Sequence, residues 1–178
     1  MQTTVTEALA ELKTISKRKD KKREFIARYL ARQDIVKDPL EKDGGSVTAI
    51  AQEIQAINDL QNRILAIRAA ITRSNLDTKL TVCGLTMTVH DWLVWRREIA
   101  PGIQSFLGGL TTTIEALRRE VKKKGGQIVE SGGGSGDNDV VVNVSEMTLA
   151  SEIEGLEQVL GTLDGLLSLT NATTIIDI

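Results

Sequence analysis

Thr4-Val5-Thr6-Glu7-Ala8-Leu9 returns in pattern as Thr88-Val89-His90-Asp91-Trp92-Leu93. Each copy opens on a threonine and places a carboxylate three residues later. That spacing predicts a helix start in which the hydroxyl takes an orphan N–H and the carboxylate reaches back. Arg97 and Ile99 echo Lys13 and Ile15. Further along, Ile57, Leu60, Ile64, Ile67, Ile71, Ser74, Asn75, Thr78 and Leu80 recur in register as Ile153, Leu156, Leu160, Leu163, Leu167, Thr170, Asn171, Thr174 and Ile176. Each half thus begins with a capped helix. Each ends with an apolar-striped helix running into Asn-x-x-Thr-x-apolar.

The pattern predicts a mainly α fold. Four long helices form two duplicated helix-loop-helix-strand halves, an antiparallel helical bundle or coiled coil with short β-hairpins at one end. The expected organisation is a single domain, residues 1–178, built from pseudo-repeats 1–82 and 85–178. The structural positions are Thr4, Glu7, Thr88 and Asp91 at the helix starts and Asn75, Thr78, Asn171 and Thr174 at the exits.

Composition agrees with helices. Only 3% of residues are aromatic, so the core must be aliphatic, as in bundles with many charged residues. The net charge of −2 hides an asymmetry, because no Lys or Arg follows Lys124 while nine Asp and Glu do. The acidic last helix either packs beside basic helices of the same molecule or meets basic ends of another copy. Cys83 is alone, which excludes an intrachain disulfide. No signal-peptide pattern opens the chain, and no apolar run approaches the roughly 20 residues of a membrane span. A soluble protein made in a reducing cytoplasm is expected.

Along the first helix, Val5, Leu9, Leu12 and Ile15 form a stripe that Phe25, Ile26, Tyr29 and Leu30 resume. The basic run 17–23 (KRKDKKR) interrupts the stripe without breaking the helix. Asp38-Pro39 and Asp43-Gly44-Gly45 mark a loop. Ser46 is expected to cap the second helix, whose stripe runs Val47, Ile50, Ile54, Ile57, Leu60, Ile64, Ile67, Ile71. Asn75 is expected to close that helix as a left-handed cap.

Leu80, Val82, Leu85 and Met87 alternate around Cys83-Gly84, which predicts a tight hairpin. The third helix should then run through Pro101 as one long kinked helix. Its stripe is Val89, Trp92/Leu93, Arg96, Ile99, Ile103, Phe106, Leu110, Ile114, Leu117 and Val121. Residues 127–130 and 140–144 read as two strands of a hairpin with a flexible Gly-rich tip at 131–139. In the fourth helix Leu149, Ile153, Leu156, Leu160, Leu163 and Leu167 form the seam. Gly155, Gly161 and Gly165 lie off it and call for a reason, such as close approach of a neighbouring backbone. The tail 173–178 is β-like.

Part of this pattern resembles a known family. Ile71-Thr72-Arg73-Ser74-Asn75 with Thr78 and Leu80, then Gly84-Leu85-Thr86 before a capped helix with Leu93 and Arg96-Arg97, carry the resemblance. Leu163-Asp164 with Asn171, Thr173, Thr174 and Ile176 completes it. From about Ile57 onward the chain resembles the septicolysin-like small helical bacterial proteins. The resemblance implies a helical bundle and self-association. Two departures stand out: a glycine-rich segment at 127–144, and Ala172 where the family carries Trp.

Catalytic equipment is scarce. His90 is the only histidine and reads as a surface residue in a first helical turn; one His does not make a metal site or an oriented acid-base pair. Cys83 lacks a histidine to activate it. The glycine-rich tip lacks the Gly-Lys-Ser/Thr ending of a phosphate loop, and Asp137-Asn138-Asp139 lacks EF-hand spacing. No catalytic, cofactor-binding or metal-ligating residue is therefore assigned, and no cofactor is expected.

Possible interface residues are Trp92 and Trp95, one as core and the other as an anchor, and the basic trio Lys122, Lys123 and Lys124. The functional expectation is a non-enzymatic structural or assembly protein acting as a homo-oligomer, in concrete form a bacteriophage virion component such as a capsid or tail accessory. The alternatives are a septicolysin-like membrane-active protein and a nucleic-acid binder using the basic helix clusters.

Overall fold

The computed structural model describes residues 2–130 and 136–178. It is mainly helical, with short strands in two-stranded pairs. The chain divides into two compact units: Met1–Asp77 with Ser168–Ile178, and Thr78–Leu167.

In the first unit β1 (Gln2–Thr4) leads into α1 (Val5–Tyr29), and α2 (Ser46–Asp77) follows a loop. β6 (Ile175–Asp177), at the other end of the chain, pairs antiparallel with β1, setting Gln2 opposite Asp177, Thr3 opposite Ile176 and Thr4 opposite Ile175. α1 and α2 pack antiparallel, as two cross-helix ion pairs show. Glu11 takes a two-pronged contact from Arg63 at 2.8 and 3.1 Å, and Lys22 meets Glu53 at 2.6 Å. Val5, Ala8, Ile15, Ile67, Ala70 and Ile176 are the core, with Leu12, Leu60, Ile64 and Ile71 against it. The basic run lies within unbroken α1, and apart from Lys19 and Lys22 its basic side chains are exposed. The α2 stripe is only partly used: Val47 and Ile54 are exposed.

The second unit opens with the hairpin β2 (Lys79–Val82) and β3 (Leu85–Thr88). Its two-residue turn puts Cys83 at φ 47° and Gly84 at φ 86°, the double positive-φ geometry that matches strand twist. α3 (Val89–Val94) continues without interruption through a π-helical turn, Trp95–Ile99, into α4 (Ala100–Lys123). This turn is how the helix survives Pro101. Proline removes one backbone donor and its ring crowds the carbonyl four residues earlier, and a widened turn just upstream makes room. α4 ends with Gly125 at φ 76°; Gly126 N–H donates to Val121 O and Gly125 N–H to Lys122 O, a Schellman stop.

β4 (Ile128–Glu130) and β5 (Val140–Val142) precede α5 (Glu146–Thr173), which belongs to this unit through Leu167. One core cluster joins Val82, Val89, Trp92, Leu163 and Leu167; another joins Ala100, Leu107, Ile114, Leu149 and Leu156. Arg96–Asp164 and Arg118–Glu146 link α5 antiparallel to the helix before it.

Several expectations are corrected. Asn75 is not a left-handed cap: α2 runs past it to Asp77, and among the described residues Cys83 is the only non-glycine at positive φ. Ser46 does not cap α2 with its own hydroxyl; it donates to Asp38. β4 and β5 pair parallel, Ile128 opposite Val140, rather than as a hairpin. A parallel pair needs a chain path returning to the same end, which residue alternation cannot reveal. Of the glycine-rich tip, 131–135 fall outside the described residues. Ile99, Ile103 and Phe106 are exposed, because the buried seam of α4 steps by sevens through Ala100, Leu107, Ile114 and Val121. No neighbouring backbone explains Gly155, Gly161 or Gly165: an added Cβ would meet nothing within 4 Å at any of them.

A β-carbon at φ 47° crowds the backbone, and asparagine bears that geometry better than cysteine. Cys83→Asn is expected to raise unfolding free energy by about 1 kcal/mol in urea titration.

Candidate functional site

The strongest local constructions are two strand-to-helix corners, one in each unit. In the first unit Thr4 stands in extended conformation (φ −76°, ψ 157°) and its hydroxyl accepts from Glu7 N–H at 3.2 Å. Glu7 reaches back to Thr4 N–H at 2.9 Å, completing the reciprocal box. These bonds, with another from Thr3, hold the Glu7 carboxyl below the usual range. The next donor, Val5 N–H, goes to Thr174 O at 3.1 Å, so the residue just before β6 supplies an acceptor to the start of α1.

In the second unit Thr88 (φ −68°, ψ 156°) accepts from Asp91 N–H at 3.1 Å and donates its hydroxyl to the Asp91 carboxylate at 2.7 Å. Val89 N–H goes to Thr78 O at 2.8 Å. Strand registers also correspond, Thr88 opposite Lys79 as Thr4 is opposite Ile175. Thr78 and Thr174 act through main-chain oxygens. Asn75 and Asn171 are half-buried inside their helices. Sequence reasoning missed β1. The signal was present, since Gln2-Thr3-Thr4 aligns with Thr86-Met87-Thr88 in the repeat.

Asp38 was also missed. It accepts Ser46 N–H at 2.7 Å, Ser46 Oγ–H at 2.5 Å and Leu40 N–H at 2.9 Å. It therefore ties the α1–α2 loop to the start of α2 from eight residues upstream, a distance at which local capping patterns carry no signal. These bonds, those from Ser46 first, hold its carboxyl below its ordinary value of 3.8.

Trp92 is core, 1% exposed, with its ring N–H donating to Leu80 O at 3.0 Å. That placement removes it from the interface candidates. Trp95 is half-buried and meets Trp92 edge to face at 5.6 Å between ring centres. Lys122, Lys123 and Lys124 are exposed at the end of α4, and among the described residues none has an ion-pair partner.

His90 is exposed at the second position of α3, and Cys83 is exposed in its turn. Among the described residues no cluster of three or more His, Cys, Asp or Glu could hold a metal. A cavity of about 180 Å³ between α4 and α5 is lined by Thr111, Ile114, Leu149 and Ile153 around the Arg118–Glu146 pair. Arg118 and Glu146 satisfy each other there, and the Glu115 carboxylate and the Thr111 hydroxyl line the same cavity. No helix among the described residues is long and apolar enough to cross a membrane.

No family model and no curated protein matches the chain. A crystal structure of a functionally unknown conserved protein from Corynebacterium diphtheriae is similar over 99% of this chain and 100% of its own, with a TM-score of 0.52 at 14% identity. That likeness concerns the fold alone.

The Asp38 contacts set a pH dependence. A carboxyl whose folded pKa is depressed stabilises the fold fully above its unfolded value and loses that contribution as pH falls through the folded value. Thermal stability is expected to drop below pH 3.8 more steeply in the native chain than in Asp38→Asn, which should be less stable at neutral pH. Melting curves from neutral pH into acid check both.

Proposed function

We propose that this chain is a non-enzymatic structural or assembly protein that works as a homo-oligomer, in concrete form a bacteriophage capsid or tail accessory component. The observation carrying this reading is the apolar surface left open. Ile35 is 90% exposed, Met147 81%, Phe106 64% and Ile99 49%, on or beside helices whose other faces are packed. Single exposed aliphatics are ordinary, but runs of them along helices suit association. The matching corners at Thr4 and Thr88 support an internal duplication. Sedimentation velocity at micromolar concentration should give a species heavier than the 19.4 kDa chain. A monomer throughout the range would overturn the reading.

A second reading, nucleic-acid binding, is favoured by the unpaired trio Lys122, Lys123 and Lys124. It requires binding in a filter assay that weakens steeply with salt. Charge reversal at the three lysines should abolish that binding.

A further inference from the structure

Between Glu98 and Glu115 the chain carries no charged residue. One face of this stretch is already occupied: Ala100, Leu107 and Ile114 are buried against Leu149 and Leu156 of α5. Elsewhere on the same helix runs a second seam, Ile99, Ile103, Phe106, Leu110, Thr113 and Leu117. It steps by fours and threes, the spacing that keeps a line of side chains facing one neighbouring helix; of these, Leu110 packs against the internal core and Leu117 is half-buried. Ile99 is 49% exposed, Ile103 38% and Phe106 64%. A surface helix facing only water would carry charge there.

The glycines make the same point. Gly102, Gly108 and Gly109 on α4, and Gly155, Gly161 and Gly165 on α5, have open space where a Cβ would stand. Each costs a helix about 0.5–1 kcal/mol relative to alanine. Among the described residues no contact repays that cost, but a helix of another molecule approaching closely would.

The surrounding charge identifies the occupant. At one end of α4, Arg119, Lys122, Lys123 and Lys124 are exposed and, among the described residues, have no ion-pair partner; on α5, Glu152, Glu154 and Glu157 are in the same state. A molecule suited to this surface needs an acidic patch and a basic patch beside an uncharged helix. A second copy carries all three, and a two-fold arrangement makes each match twice. The second seam is about 27 Å long at 1.5 Å per residue.

We infer that the seam Ile99-Ile103-Phe106, which begins on the π-helical turn and continues along α4, with its glycine-lightened surroundings, seats a second copy of this chain. The inference rests on the self-association reading and names the surface that performs it. The experiment compares the native chain with Ile103→Glu, Phe106→Glu and, as a control on the other unit, Val47→Glu. All are followed by sedimentation velocity and by circular dichroism for helix content. Both seam variants should weaken association about tenfold or more with helix content unchanged, while Val47→Glu should not.

If the native chain associates and the seam variants associate equally well, this surface is overturned and the self-association reading stands. If the native chain is monomeric, both fall. Vesicles of phosphatidylcholine and phosphatidylglycerol form the last arm. A native chain that stays monomeric yet binds them, with binding lost in Phe106→Glu, would assign the seam to a lipid surface and overturn the second copy.

Discussion

The first N–H groups of a helix have no acceptor within it, and the fold is organised around meeting that need. At Val5 and Val89 the acceptor is the main-chain oxygen of the threonine that leads into a paired strand, Thr174 from the far end of the chain in one case and Thr78 just ahead of the adjacent hairpin in the other. A threonine just before each valine takes a second donor. These bonds set where a helix starts, which strand lies beside it and in what register. Val5 and Val89 are in turn buried, so each corner is anchored in a core cluster. A shift of one residue would turn these valines outward and strand the donors.

The consequence differs between the units although the local geometry is the same. In the second unit, strand and capped helix follow one another through the two-residue turn at Cys83-Gly84. In the first, the strands come from opposite ends of the sequence, so β1 and β6 clasp the termini. Removing either end strand would therefore expose the start of α1 and the aliphatic cluster holding Ile176.

Functional chemistry follows from what the side chains already do. The carboxylates in the most specific geometry, Glu7, Glu11 and Asp38, each accept bonds that hold their pKa down. A carboxylate kept ionised by structural donors is poorly placed to shuttle protons near neutral pH. The apolar residues divide into those sealed within each unit and those left open along α4 and the α1–α2 loop. These open residues are the ones on which the proposed association rests.

Much of this was legible in the residues. The Thr4–Glu7 capping box, the Thr88 cap (where Asp91 takes the threonine hydroxyl and not its N–H), the Cys83-Gly84 turn and the persistence of α1 through its basic run depend on bonds spanning a few positions, so spacing encodes them. The sequence by itself determined where helices begin and that the core is aliphatic. Tertiary structure decided the rest: that β1 pairs with β6, that β4 and β5 run parallel, that Asp38 holds Ser46, and that α4 buries Ala100 and Leu107 while leaving Ile103 and Phe106 open. Each of these is a choice among partners of similar local quality. It is made by which groups the folded chain brings within hydrogen-bonding or van der Waals reach, a property that no short window of residues contains.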